Sequence, residues 1–320
     1  MNFSKDTLSG WVELSGFPKF TTTMIPFLLG AVLAWADGYT FNWQVLTISL
    51  LAVFLLTDFC FVLNACSVYS DIKQKGIDVR IKKTSTLHST AVSGRFNAFA
   101  KGHISVKQAV TGAYLCVLAA LPLAVLLHFF LNTGPLTLPL GLIGIFIAYS
   151  YSRGPRFSYH GLGEIALTAG VGWLTVFSGY YLQTHQVSWL PTVVALPWVI
   201  DVFKLKLMRE IPDFECDLGI KRRNLAIRLG KTTTASLYLP LTVCSWLAFI
   251  PILFLDVPYI GFVLLAIPMF FTVKSLRKFD WKTEEGLSAI TKNAFTGMIL
   301  IPVALIGIFV IKIIATVVTF

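Results

Sequence analysis

Charge is scarce in this sequence. Asp, Glu, Lys and Arg supply 13% of its 320 residues, about half the share in a soluble domain and too few to cover a water-facing globule of this size. A water-soluble enzyme is excluded, and so is a disordered chain, because 56% of the residues are apolar. Cysteine is thin as well. The five residues at 60, 66, 116, 216 and 244 include no C-x-x-C pair, which argues against a disulfide framework or a zinc site. The opening stretch lacks a basic region running straight into an apolar core and a small-residue cleavage site, so it is expected to be a cytoplasmic lead-in and not a signal peptide. What the chain has is long apolar runs, a mean hydropathy of +0.74 and a net charge of +10. In such a chain the excess of Lys and Arg points to a lipid bilayer as partner and not to nucleic acid.

A bilayer crossing needs about 20 mostly apolar residues. Nine segments qualify, at 20–36, 44–68, 108–131, 135–151, 162–183, 189–208, 233–254, 257–273 and 294–319. With the N-terminus inside, every Lys and Arg except Lys312 falls in an inner loop or at the inner end of a span, and the outer turns near Asp37, Asn132, His185 and Asp256 carry none. The expected fold is an all-α integral membrane protein, a single domain over residues 1–320. Its nine transmembrane helices would surround a central cavity, with the N-terminus cytoplasmic and the C-terminus on the opposite side.

Two inner loops, 70–106 and 209–232, are longer than the others and mix charges of both signs. In the second, Asp213 and Asp217 stand four residues apart, about 400° on a helix, so both carboxylates share a face. A hard, oxygen-preferring ion such as Mg²⁺ would relieve their repulsion and hold substrate phosphates, with Glu210 one turn earlier. The bland reading is a solvated loop whose acids pair with Lys221, Arg222 and Arg223. On the first loop, Asn64 and Asp71 share a stripe. Asp78 would continue it, although Gly76 weakens the helix there. Two acidic stripes facing one cavity could each hold an ion on a shared diphosphate, with Arg80 and Lys83 among the nearby cations. Asp58 lies mid-span, the only buried charge visible there, as a proton acceptor or as a carboxyl bonded to a neighbouring helix.

PDFECDLGIKRRNLAIRLGK resembles the second aspartate motif of the UbiA superfamily of intramembrane prenyltransferases, a D-x-x-x-D followed by Gly and an L-A-x-R-L-G run that contains Arg228. YSRGPRFSYHGLGEIALTAGVGWLTVFSGYYLQT resembles its fourth-to-fifth helix segment, especially in the menaquinone-type (1,4-dihydroxy-2-naphthoate) branch. SGFPKFTTTMIPFLLGAVLA is similar to that branch's first helix, and KGHIS at 101–105 to the approach to its third. One departure stands out. The branch's first motif is N-x-x-N-D-x-x-D followed by K-x-G-x-D. Here Asn64 and Asp71 match, Ser67 and Val68 replace Asn and Asp, and Asp78 arrives one residue late.

The resemblance implies Mg²⁺-dependent transfer of an isoprenoid from a prenyl diphosphate to an aromatic or quinone-precursor acceptor, at the cytoplasmic face of a bacterial inner membrane. It places the metal on Asp71, Asp78, Asp213 and Asp217 and the diphosphate near Asn64, Arg80, Lys83 and Arg228. Tyr149, Tyr151 and Trp173 would face the allylic cation. A terpene cyclase of the same superfamily, acting without an acceptor, is the nearest alternative. A transporter is the alternative from another class. It is disfavoured by the single buried mid-span charge and by the lack of paired broken helices.

Overall fold

In the computed structural model, which describes residues 5–16, 18–79 and 96–318, the apolar runs fold as helices and no described residue is in a strand. Helix α1 (Lys5–Ser15) precedes α2 (Pro18–Ala36) and α3 (Trp43–Gln74). After α4 (Asn97–Ala100) come α5 (Val106–Phe130), α6 (Thr137–Ser150), α7 (Gly163–Thr184) and α8 (Leu190–Met208). The short α9 (Phe214–Gly219) and α10 (Leu225–Leu229) lead to α11 (Lys231–Phe254), α12 (Tyr259–Arg277) and α13 (Glu284–Val318).

Among the described residues seven helices are long and apolar enough to cross a membrane: α2, α3, α5, α7, α11, α12 and α13. α6 is apolar but short. α8 carries Asp201, Lys204 and Lys206. The Lys204 ammonium and the Asp201 carboxylate pair at 2.6 Å with both side chains buried. Asp58 is therefore not the one buried charge in a helix, which corrects the sequence reading. Its Oδ2 accepts from Cys116 Sγ on α5 at 3.7 Å, in keeping with the helix-bonded carboxyl. Lys312 donates to the Leu255 carbonyl at 3.2 Å, an internal partner for the basic residue that falls outside the pattern of the others.

Close backbone approach fixes α2 against α7. A Cβ at Gly30 would lie 2.0 Å from the Val176 carbonyl oxygen, and one at Gly179 would lie 2.1 Å from the Phe27 oxygen. Small residues are what let two membrane helices pack at this distance. Gly179→Val is therefore expected to force the pair apart and to destabilise the protein by about 1–3 kcal/mol, read as a lowered unfolding temperature in detergent.

Asn42 caps the start of α3 through its side chain, which accepts from the Gln44 and Val45 amides. Its far end closes at Gly76 (φ 66°), where the Gly76 amide donates to the Lys73 carbonyl and the Ile77 amide to the Ile72 carbonyl. This glycine-dependent stop ends the helix at Gln74, four residues short of Asp78. One apolar cluster gathers α2, α7, α8, α11 and α13 around Leu33, Tyr180, Trp198 and Ile301. A second joins α3 and α5 to the second aspartate segment through Leu63, Val68, Ala109, Cys216 and Ile220.

Candidate active site

The backbone places the second aspartate pair. α8 stops at Met208, and the chain turns through Pro212 and starts a fresh helix at Phe214 with Asp213 at its N-cap. The Asp217 amide donates to the Asp213 carbonyl at 2.8 Å, so the two carboxylates project from one face, one turn apart. Both are buried, and both line a chamber of about 570 Å³. Asp217 takes Asn224 Nδ2 on one oxygen at 2.7 Å and the Arg222 guanidinium at 3.4 and 3.5 Å. Burial works against the charge on Arg222, but the adjacent Asp217 carboxylate keeps its pKa above the usual value. Arg222 also donates through Nε to the Ser158 carbonyl at 3.2 Å, which ties the segment after α6 to the aspartate loop.

Across the chamber, α3 contributes Asn64, which is 7% exposed and whose Oδ1 has no partner among the described residues. Two turns on, Asp71 does not line the chamber. Its Oδ2 accepts from the Arg156 guanidinium and from the Tyr159 hydroxyl, the latter at 2.5 Å. Arg156 lies 3.6 Å above the Tyr159 ring and adopts φ 50°, a left-handed backbone unusual for a non-glycine residue. Burial pushes the Tyr159 hydroxyl well above its ordinary pKa, and the Asp71 bond adds to this, so it stays a donor. Val68 is completely buried in the apolar cluster that also holds Cys216 and Ile220. Asp78 is exposed beyond the end of α3.

Of the residues singled out in the sequence, Asn64, Tyr151, Glu210, Asp213, Asp217 and Arg222 line the chamber. Tyr149 is half-exposed beside Gly154. Trp173 stacks on Phe177 and donates to Thr192 at 2.9 Å. Arg228 donates to the His160 carbonyl at 2.6 Å, holding two loops together. Arg80 and Lys83 lie outside the described residues.

Four of the chamber's cations have no signal of their own in the sequence: Lys19 from α2, Lys206 from α8, Arg209 after it and Lys292 from α13. Glu210 pairs with Lys206 and lies near Glu164 on α7. Burial raises the Glu210 carboxyl well above the ordinary range. The other Glu164 contact is structural, since its Oε1 accepts from the Leu225 amide at 2.8 Å and so anchors the start of α10. Glu164→Ala should leave that amide without its acceptor and destabilise the fold by about 1–3 kcal/mol, measurable by thermal unfolding.

A second chamber of about 450 Å³ adjoins the first. Its wall is almost wholly apolar, and the two share Cys60, Phe61, Tyr151, Leu167 and Val171. A π-helical stretch, Thr168–Leu174, interrupts α7 at this junction, a distortion frequent at functional sites. The pair of chambers forms an amphipathic cavity, one end lined with charge and the other with hydrocarbon.

The model of the UbiA prenyltransferase family matches residues 23–289. The chain belongs to this family. Its relatives include the 1,4-dihydroxy-2-naphthoate octaprenyltransferase of Haemophilus influenzae, 27% identical over 70% of each chain. The 2-carboxy-1,4-naphthoquinone phytyltransferase of Synechocystis is 27% identical over 73% of this chain and 70% of its own. Among solved structures, a UbiA homolog from Archaeoglobus fulgidus bound to GPP and Mg2+ superposes with a TM-score of 0.62 at 17% identity, covering 95% of this chain and 99% of that one. The fold is thus that of UbiA proteins, and the resemblance to the menaquinone-type branch holds at modest identity.

The donor set bears on the metal. Among the described residues no three His, Cys, Asp or Glu side chains gather closely enough to form a cluster for an ion. Mg²⁺ does not need one, since one or two carboxylates with water and substrate phosphates suffice. Asp213 and Asp217, with the unpartnered oxygen of Asn64 in the same chamber, fit a single divalent ion. Asp71, held by Arg156 and Tyr159, does not line this chamber.

Proposed function

We propose that this UbiA-family protein transfers an isoprenoid from a prenyl diphosphate to an aromatic or quinone-precursor acceptor inside the membrane. The observation that carries the reading is the adjoining pair of chambers, matched to a substrate with a charged head and a hydrocarbon tail. The diphosphate lies against Asp213, Asp217 and Asn64, and the tail lies along Val53, Leu56 and Gly144 of the apolar chamber. A divalent ion such as Mg²⁺, held by Asp213 and Asp217, would supply charge neutralisation for the departing diphosphate. The chain's own residues do the rest. Lys19, Arg209 and Lys292 add positive charge around the leaving group, and Asn224 and Arg222 hold Asp217 in orientation. Tyr151, at the junction of the chambers, presents an aromatic face where the allylic carbon would sit.

The whole chain, residues 1–320, acts in this reading as one membrane domain of nine spans, with α6 and α8 completing the seven longer helices. The N-terminus and the charged chamber face the cytoplasm, and the membrane is a bacterial inner membrane. The supporting pattern is the confinement of Lys and Arg, Lys312 apart, to one side of the spans. Names among the relatives make 1,4-dihydroxy-2-naphthoate the first acceptor to try. The test is to incubate the purified protein with Mg²⁺ and labelled prenyl diphosphates, with and without that acceptor, and to identify the lipid-soluble products by mass. A prenylated acceptor is expected. A cyclic hydrocarbon formed without acceptor would replace transfer by cyclisation.

A further inference from the structure

Three features separate the two aspartate motifs. The Asp71 carboxylate is taken up by Arg156 and Tyr159, in a turn whose left-handed Arg156 is further held by the Tyr159 amide, donating to the Arg156 carbonyl at 2.7 Å. Val68 fills with hydrocarbon the position where the family resemblance expects a carboxylate, and it is completely buried. Asp78 is carried past the glycine stop of α3 into an exposed position. No carboxylate of the first motif lines the charged chamber, whereas five basic side chains from separate parts of the chain do.

A multiply charged diphosphate leaving an allylic carbon needs positive charge on more than one side. In the chamber, Asp213 and Asp217 occupy one wall. Lys19 comes from the first turn of α2, Arg209 from the end of α8 and Lys292 from the π-helical turn inside α13. Ammonium and guanidinium groups neutralise and hydrogen-bond phosphate oxygens directly, without a carboxylate to hold an ion in place.

We propose that this protein binds its diphosphate with a single divalent ion, on Asp213 and Asp217, and that Lys19, Arg209 and Lys292 stand in for a second one. The inference rests on the prenyl diphosphate reading and deepens it. It also gives the first motif a different task. Asp71 pins the Arg156 turn to α3, and through Tyr159 and Arg222 that turn supports Asp217.

Manganese electron paramagnetic resonance on the purified protein in lipid nanodiscs, saturated with geranyl S-thiolodiphosphate, counts the ions. One bound Mn²⁺ per chain is expected. Asp213→Asn should abolish it and Asp71→Asn should leave the count at one. At saturating Mn²⁺, Arg209→Gln and Lys292→Gln should each weaken analogue binding about tenfold. Two Mn²⁺ ions per chain in the wild type would overturn the proposal, and so would unchanged analogue affinity in both basic variants. The wild-type count decides even if a variant fails to fold. A protein that prenylates its acceptor and binds two ions refutes this inference alone. One that binds a single ion with the analogue but turns over no prenyl diphosphate refutes the functional reading instead.

Discussion

Asp213→Asn is expected to lower turnover by about 10²–10³-fold while the protein remains folded in the membrane. The substitution is nearly isosteric, and it removes the charge of one of the two aspartates that line the chamber. Asp217→Asn should be equally inactive, but for two reasons that act together. Asp217 is 1% exposed and faces an Arg222 side chain that is 3% exposed. Losing one partner of such a buried pair costs about 3–5 kcal/mol. The Ala substitution would in addition leave Asn224 Nδ2 without its acceptor. A loss of activity at 217 therefore mixes chemistry with folding, whereas the loss at 213 reports chemistry more cleanly. Comparing the initial rates of both variants with their unfolding temperatures separates the two contributions. Chelating divalent ions from the wild type should reproduce the Asp213→Asn rate without lowering the amount of folded protein.

Val68→Asp should not restore a second ion site. Read from the sequence alone, it could lower the Mg²⁺ requirement by supplying a missing ligand, or it could add an uncompensated carboxylate to a site rebuilt around Asp71 and Asp78. The packing decides between these outcomes. Val68 is at 0% exposure in the apolar cluster with Leu63, Cys216 and Ile220, and Arg156 is already engaged by Asp71. An unpaired buried carboxylate costs several kcal/mol or is forced into its neutral form. The expected result is a fall in unfolding temperature and in maximal rate, with no gain in Mg²⁺ affinity, in a titration of activity against Mg²⁺ alongside the wild type.

Much of the helical framework was legible as apolar runs. α2 and α6 begin and end within a few residues of the segments read from hydropathy. α3 and α13 were read short because their inner ends are polar: α3 runs on past residue 68 through Asp71 and Lys73 to Gln74, and α13 starts at Glu284, ten residues before its apolar core. Helix geometry continues where hydropathy fades, and only capping and Gly76 mark the stop. The shared face of Asp213 and Asp217 was legible because it depends on local spacing alone. The partner of Asp71 was not, because Arg156 stands 85 residues away and reaches it through a left-handed turn that no periodicity announces. The basic lining was hidden for a similar reason. In sequence, Lys19, Arg209 and Lys292 are ordinary members of an inward-facing excess of charge, and only the packing of α2, α8 and α13 brings them to one chamber.

The most direct test of the central claim is a structure of the protein with a prenyl S-thiolodiphosphate and Mn²⁺, in which the anomalous signal locates the metal. The account predicts the diphosphate against Asp213, Asp217 and Asn64, with the isoprenoid passing Tyr151 into the chamber lined by Val53, Leu56 and Gly144. A diphosphate bound elsewhere, or a tail that leaves the apolar chamber empty, would contradict it.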